Sequence, residues 1–179
     1  DIDPRHAGAE MWGGPGGLRT CRGAPLGPAP RSANFAVWWD GDLLRELLDR
    51  TTISKWDWQN ARLETLFTAE GCLSNNGNKA TPALSADLFG DWREEVVFRT
   101  ADNQALRIYT TTIPTEHRLR TLMHDPQYRL SIAWQNVAYN QPPHTGFYLG
   151  EAMEQPPRPA ITTPAVGPSG RGAGWGEPK

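Results

Sequence analysis

Gly41-Asp42-Leu43-Leu44-Arg45-Glu46-Leu47-Leu48 and Gly90-Asp91-Trp92-Arg93-Glu94-Glu95-Val96-Val97 are two copies of one phrase, 49 residues apart from Gly41 to Gly90. In each, Gly-Asp opens a turn, a carboxylate follows, and two apolar residues begin an extended run. A partial third copy runs from Asp3 to Glu10-Met11-Trp12. A period near 50 residues matches one four-stranded blade of a β-propeller. Three copies at most do not close a ring, so the expectation is a partial propeller.

The flanking segments agree. Asn34 to Trp39 is aromatic and β-branched and is stopped by Asp40-Gly41-Asp42, which reads as a strand and its turn. Leu43–Leu48, Thr51–Trp56, Arg62–Phe67, Ala105–Thr112 and Leu119–Met123 are further short extended candidates, and Glu10-Met11-Trp12 is one more. Residues 13–33 are rich in Gly, Pro and Arg and read as a long loop, not a strand pair. Asp125-Pro126 supplies an N-cap and a first helical position, so residues 126–137 are expected to be a short helix. From about residue 153 to 179 the chain turns to Pro, Gly, Ala, Ser and Thr, the composition of a disordered tail. The fold class is therefore all-β, with one domain over residues 1–152.

Composition excludes several functions. The formal net charge is −2 with no basic block, which argues against nucleic acid or an anionic membrane held by charge. No apolar run approaches the roughly 18 residues of a spanning helix. Asp1-Ile2-Asp3-Pro4 carries no start methionine and reads as a fragment or processed chain. Cys21 and Cys72 lack metal-type spacing and are either a disulfide or two free thiols. His6, His117, His124 and His144 form no helical metal pair and no hydrolytic triad; His117 and His124 read as structural.

The repeated phrase also has metal character. Oxygen-ligand calcium loops place carboxylates at alternate positions with a later Glu and a sharp Gly turn. Asp87, Asp91 and Glu95 take the first, fifth and ninth places of such a loop; Asp40, Asp42 and Glu46 take the third, fifth and ninth. Phe89 and Trp38 stand where a ligand is missing, and Asp1 and Asp3 begin a truncated version. Calcium and a carboxylate-capped turn without metal both fit this spacing.

Ser74-Asn75-Asn76-Gly77-Asn78-Lys79-Ala80-Thr81-Pro82 is a polar, turn-forming stretch between apolar runs. Asn and Gly tolerate positive φ. Its amides and single cation suit a sugar or a carboxylate, and equally an ordinary turn with a solvated Lys.

The runs Asn34–Asp42, Ser74–Pro82, Leu84–Glu95, Ile108–Leu119, Leu122–Pro126 and Ala133–Tyr148 closely resemble the C-terminal part of family-eleven rhamnogalacturonan lyases. The resemblance covers about residues 1–152. It implies the last blades of an eight-bladed propeller with bound calcium (Ca2+). It implies β-elimination at the rhamnose–galacturonate bond of rhamnogalacturonan I, a pectic polysaccharide, by a secreted enzyme that is monomeric at full length. The family's galacturonate-binding Asn-Gly-Thr-Lys loop falls on Asn76, Gly77, Asn78 and Lys79, with Asn78 replacing Thr. The active-site Tyr falls on Tyr139. On this reading Lys79 and Tyr139 are catalytic, as base, acid or electrostatic clamp, and Asn76, Gly77 and Asn78 bind substrate. The Asn and Asp that the family supplies from its early blades are absent, so the chain alone is expected to show little or no activity. A non-catalytic carbohydrate-binding propeller module and an integrin-like calcium propeller are the alternatives. The first would not need both Lys79 and Tyr139; the second would need complete acidic loops in every repeat.

Overall fold

The computed structural model describes residues 1–31, 33–135, 137 and 140–159. It is mostly β-sheet with one α-helix. β3 (Phe35–Val37), β4 (Glu46–Asp49), β5 (Thr52–Asp57) and β6 (Arg62–Thr68) form an antiparallel meander in that order. A second four-stranded sheet is built on β9 (Glu95–Thr100). It pairs with β10 (Leu106–Tyr109) on one side and with β7 (Cys72–Leu73) and β8 (Leu84–Ala86).

The 49-residue repeat is a structural repeat. Phe35 pairs with Leu48 and Val37 with Glu46; Leu84 pairs with Val97 and Ala86 with Glu95. Each pair is displaced by the same 49 positions. Glu46 Oε2 accepts from the N–H groups of Trp39 (2.7 Å) and Asp40 (3.2 Å). Glu95 Oε2 accepts from Leu88 (2.8 Å) and Phe89 (3.1 Å) in the same register. The strand-opening Glu thus ties down the turn before it. Gly41 and Gly90 hold φ of +98° and +81°, the left-handed region that glycine enters without steric penalty. A Cβ on Gly41 would stand 3.0 Å from Thr115 Cβ and 3.1 Å from the Pro114 carbonyl oxygen.

The first repeat is present in reduced form. Met11 bridges to Arg19, and β1 (Leu18–Arg19) pairs with β2 (Pro25–Gly27). This corrects the expectation of a structureless loop over 13–33. Buried Leu18 anchors the pair, and Thr20 turns it, accepting from Gly23 N–H (2.8 Å) and donating to the Ala24 carbonyl (2.9 Å). Glu10 accepts from Ile2 N–H at 2.7 Å, echoing Glu46 and Glu95.

These units stack in series. Leu47 of β4 packs with Ile2, Leu18 and Trp56 on one face. Leu48 packs on the other with Phe35, Ile53, Cys72, Val96 and Phe98, joining the two large sheets. Matching backbone links join the turns: Arg45 N–H donates to the Asp1 carbonyl (2.7 Å) and Glu94 N–H to the Trp38 carbonyl (2.9 Å). Among the described residues the series is open.

The helix α1 (Pro126–Ala133) starts where expected, Asp125 capping Tyr128 N–H at 3.1 Å, and stops at Trp134, short of residue 137. The strand expected over Leu119–Met123 is absent; Leu122–His124 is a 3-10 turn. Asp87 imposes this turn by accepting from Thr121 Oγ1 (2.7 Å) and Leu122 N–H (2.8 Å). The tail expected from residue 153 lies, from residue 160 on, outside the described residues. No described helix is long and apolar enough to cross a membrane. Cys21 is exposed, Cys72 is buried, and both are free thiols.

Candidate active site

The Ser74–Pro82 stretch is a compact loop. Asn75 N–H donates to the Thr81 carbonyl and Thr81 N–H to the Lys79 carbonyl, both at 2.8 Å, and Ser74 Oγ donates to the Asn76 carbonyl at 3.0 Å. Asn76, Gly77 and Asn78 are exposed, and Lys79 is half-buried where the loop descends to buried Ala80, Thr81 and Pro82. Three amide-bearing or backbone-open positions therefore face solvent beside one ammonium.

The segment after α1 is drawn to this loop. Asn140 Nδ2 donates to Thr81 Oγ1 (3.2 Å) and to the Pro82 carbonyl (3.1 Å). Its Oδ1 is buried with no protein partner. Upstream, Gln135 clamps β8: Oε1 accepts from Ser85 N–H (2.9 Å) and Nε2 donates to the Ser85 carbonyl (2.6 Å). Tyr139 lies outside the described residues, but its neighbour Asn140 is tied to residues two and three beyond Lys79. Neither Gln135 nor Asn140 stood out in the sequence; an amide in an irregular polar segment gives no periodic signal.

The two acidic sets behave differently. Asp40, Asp42 and Glu46 each bring one carboxylate oxygen within 4.8 Å of the others, a spacing a metal ion could use. Lys55 Nζ stands among them, 2.6 Å from Asp40 Oδ2, 2.6 Å from Asp42 Oδ2 and 3.0 Å from Glu46 Oε1. Burial pushes the Glu46 carboxyl up to about 7, more than the neighbouring ammonium offsets. Burial would lower Lys55, but Glu46 and its two Asp partners outweigh that and push it up. The donor set is thus filled by the chain's own cation and fits calcium only if Lys55 leaves.

Asp87, Asp91 and Glu95 are not gathered into such a group among the described residues. Asp87 is spent on Thr121, Leu122 and Gly90, and Asp91 pairs with Arg93. Glu95 Oε1 accepts from Thr110 Oγ1 at 2.9 Å. By strand register Thr110 is the counterpart of Lys55: Leu47 faces Ser54 as Val96 faces Tyr109. In the first repeat Arg5 holds both oxygens of Asp3.

A buried polar junction joins the units. Glu94, fully buried, accepts from Tyr128 Oη at 2.7 Å and Trp38 N–H at 3.0 Å, and pairs with Arg45 at 3.3 Å. Tyr128 Oη also accepts from Asp87 N–H at 2.9 Å. Burial first, then Glu94, pushes the Tyr128 phenol well above its ordinary range. Tyr128 is therefore a fixed neutral hydrogen-bonding group.

Stacked antiparallel units with carboxylate-tied turns, carrying a polar lysine-bearing loop, define a repeat-built β domain with a site on its connecting segments. Residues 1–159 match the family model described as Rhamnogalacturonan lyase family 11, C-terminal domain, and the chain belongs to that family. Rhamnogalacturonan endolyase YesW of Bacillus subtilis (strain 168) is 62% identical over 165 residues, 92% of this chain and 26% of YesW. Rhamnogalacturonan exolyase YesX of the same organism is 58% identical over 177 residues, 89% of this chain and 29% of YesX. The crystal structure of YesW superposes with a TM-score of 0.87, covering 92% of this chain and 28% of that one. The Bacillus licheniformis rhamnogalacturonan lyase structure also gives 0.87 at 63% identity, covering 91% and 28%. The chain spans less than a third of the length of the curated relatives it matches.

Proposed function

We propose that this chain is the C-terminal part of a rhamnogalacturonan lyase, contributing about half of an active site that cleaves the rhamnose–galacturonate bond by β-elimination. The tie from Asn140 to Thr81 and Pro82 carries the reading, because it holds the residue next after Tyr139 in sequence against the end of the Lys79 loop. Asn76, Gly77 and Asn78 hold the galacturonate, and the Lys79 ammonium faces its carboxylate. Neutralising that carboxylate makes the C5 proton removable, since charge develops there in the transition state. A base takes the C5 proton, the electron pair forms the C4–C5 double bond, and the C4–O4 bond breaks. A proton delivered to O4 releases rhamnose as an alcohol. Lys79 and Tyr139 share the clamp and proton-transfer roles.

The stacked meander units are the last blades of a propeller whose other blades complete the cleft. Calcium would supply further charge neutralisation, but the gathered carboxylates Asp40, Asp42 and Glu46 hold Lys55 and do not fit it while that ammonium stays. On this reading the enzyme works outside the cell, and it does so as a monomer at full length.

The test is a longer protein carrying the family's preceding blades, assayed with rhamnogalacturonan I for the ultraviolet absorbance of the unsaturated uronate. Lys79→Ala is expected to lower turnover about 10²–10³-fold, the scale of a lost electrostatic donor. Unchanged turnover in Lys79→Ala removes Lys79 from the chemistry. A folded longer protein that binds the polysaccharide without cleaving it supports a carbohydrate-binding module instead.

A further inference from the structure

A cleft of about 190 Å³ opens between the 118–124 segment, Phe147 and residues 155–158. Arg118, Arg120 and Arg158 line it, together with His124, and no carboxylate does. The three arginines are exposed. Four guanidiniums elsewhere hold carboxylates: Arg5 to Asp3, Arg45 to Glu94, Arg93 to Asp91 and Arg62 to Asp57 and Glu64. A local excess of three fixed positive charges is not background in a chain of net charge −2. Three guanidiniums with no carboxylate among them suit an anion.

Two rings belong to its lining. The rings of His124 and Phe147 stack with centroids 6.3 Å apart and planes 7° apart. Buried Leu122 also lines the cleft. An aromatic face bounded by guanidiniums suits a ligand with a ring of C–H bonds and a carboxylate at its edge, because Arg recognises carboxylates bidentately. We propose that this cleft is a second binding site for a uronate residue of a polysaccharide chain. It shares no residue with the Asn76–Lys79 loop. It deepens the lyase reading, since the substrate proposed there carries a carboxylate on every second sugar. Its occupation would hold the backbone without taking part in the chemistry.

The test titrates this chain by calorimetry with oligogalacturonate, with its fully methyl-esterified form, and with inorganic sulfate. Oligogalacturonate is expected to bind, the ester at least tenfold more weakly. Arg118→Gln/Arg120→Gln/Arg158→Gln should lose binding at least tenfold, whereas Arg22→Gln, at an exposed arginine outside the cleft, leaves it unchanged. Equal binding of the ester, an unaffected triple variant, or competition by sulfate at matched charge would each overturn the assignment. Failure here is separable from failure of the lyase reading. Turnover by the longer protein that is indifferent to the three arginines overturns only the cleft. Arginine-dependent uronate binding without turnover in the longer protein overturns only the lyase.

Discussion

Replacing Lys55 by Met keeps a stem of similar length and removes the ammonium from three carboxylates. The structure sets the size of the effect. Glu46 is fully buried, and breaking a buried pair by removing one partner costs about 3–5 kcal/mol. The Asp42 side chain is 42% exposed, so its share falls to the roughly 0–1 kcal/mol of an exposed pair. Glu46 also keeps the N–H groups of Trp39 and Asp40. The low end applies, about 3 kcal/mol, or a melting-point drop of about 6–12 °C for a domain of this length. The pH dependence identifies the cause. Folding raises the Glu46 carboxyl from 4.5 to about 7, so its contribution is intact below the unfolded value and is lost as pH rises through about 7. Without Lys55 the carboxyl rises further, so the deficit of the variant is level from about pH 5 to about pH 7 and widens from there to about pH 8. Circular-dichroism melts at the two ends of that range, with Lys55→Met/Glu46→Gln recovering most of the loss, would check this. Calcium should then also stabilise the single variant, by about 2.7 kcal/mol at a hundredfold excess over its dissociation constant. A deficit below about 1 kcal/mol, or one equal at both pH values, refutes the reasoning.

Tyr128→Phe strands two buried groups, the Asp87 N–H and Glu94 Oε1. At about 1–3 kcal/mol per buried group left unpaired, unfolding in urea should show a loss of about 2–6 kcal/mol, and a near-neutral result would mean that the junction is not tightly closed. An aromatic thiol reagent should label one thiol in the folded chain, Cys21, and the second, Cys72, only on unfolding. Labelling of neither in the unfolded chain before reduction would reveal a disulfide instead.

The repeat was legible because it is written in residue types with few substitutes: Gly for positive φ, and a Glu whose oxygens reach two backbone donors. The helix start was legible through Asp125-Pro126. The β1–β2 pair was not, because its Gly- and Pro-rich composition hides one buried leucine and a bridge to Met11. The Leu119–Met123 strand failed because a distant carboxylate, Asp87, decides that backbone. Spacing brought Asp40, Asp42 and Glu46 together correctly but was silent on Lys55, which arrives from β5, the strand paired with β4. Nothing in a linear reading separates carboxylates waiting for a metal from carboxylates that already hold an ammonium.

The joints between units, Arg45 to Asp1 and Glu94 to Trp38, are made by backbone atoms. Side chains of the repeat itself, Glu94 and Arg45, reinforce them, so each joint is carried by residues that a whole repeat brings with it. Stacked repeats derive stability from each unit and its immediate neighbours, so one whole 49-residue length can be copied or deleted and the remaining faces still meet. A shift of one residue inside a unit would instead turn Leu47 and Leu48 to each other's side. The grain of this chain favours growth by tandem duplication and resists piecemeal insertion.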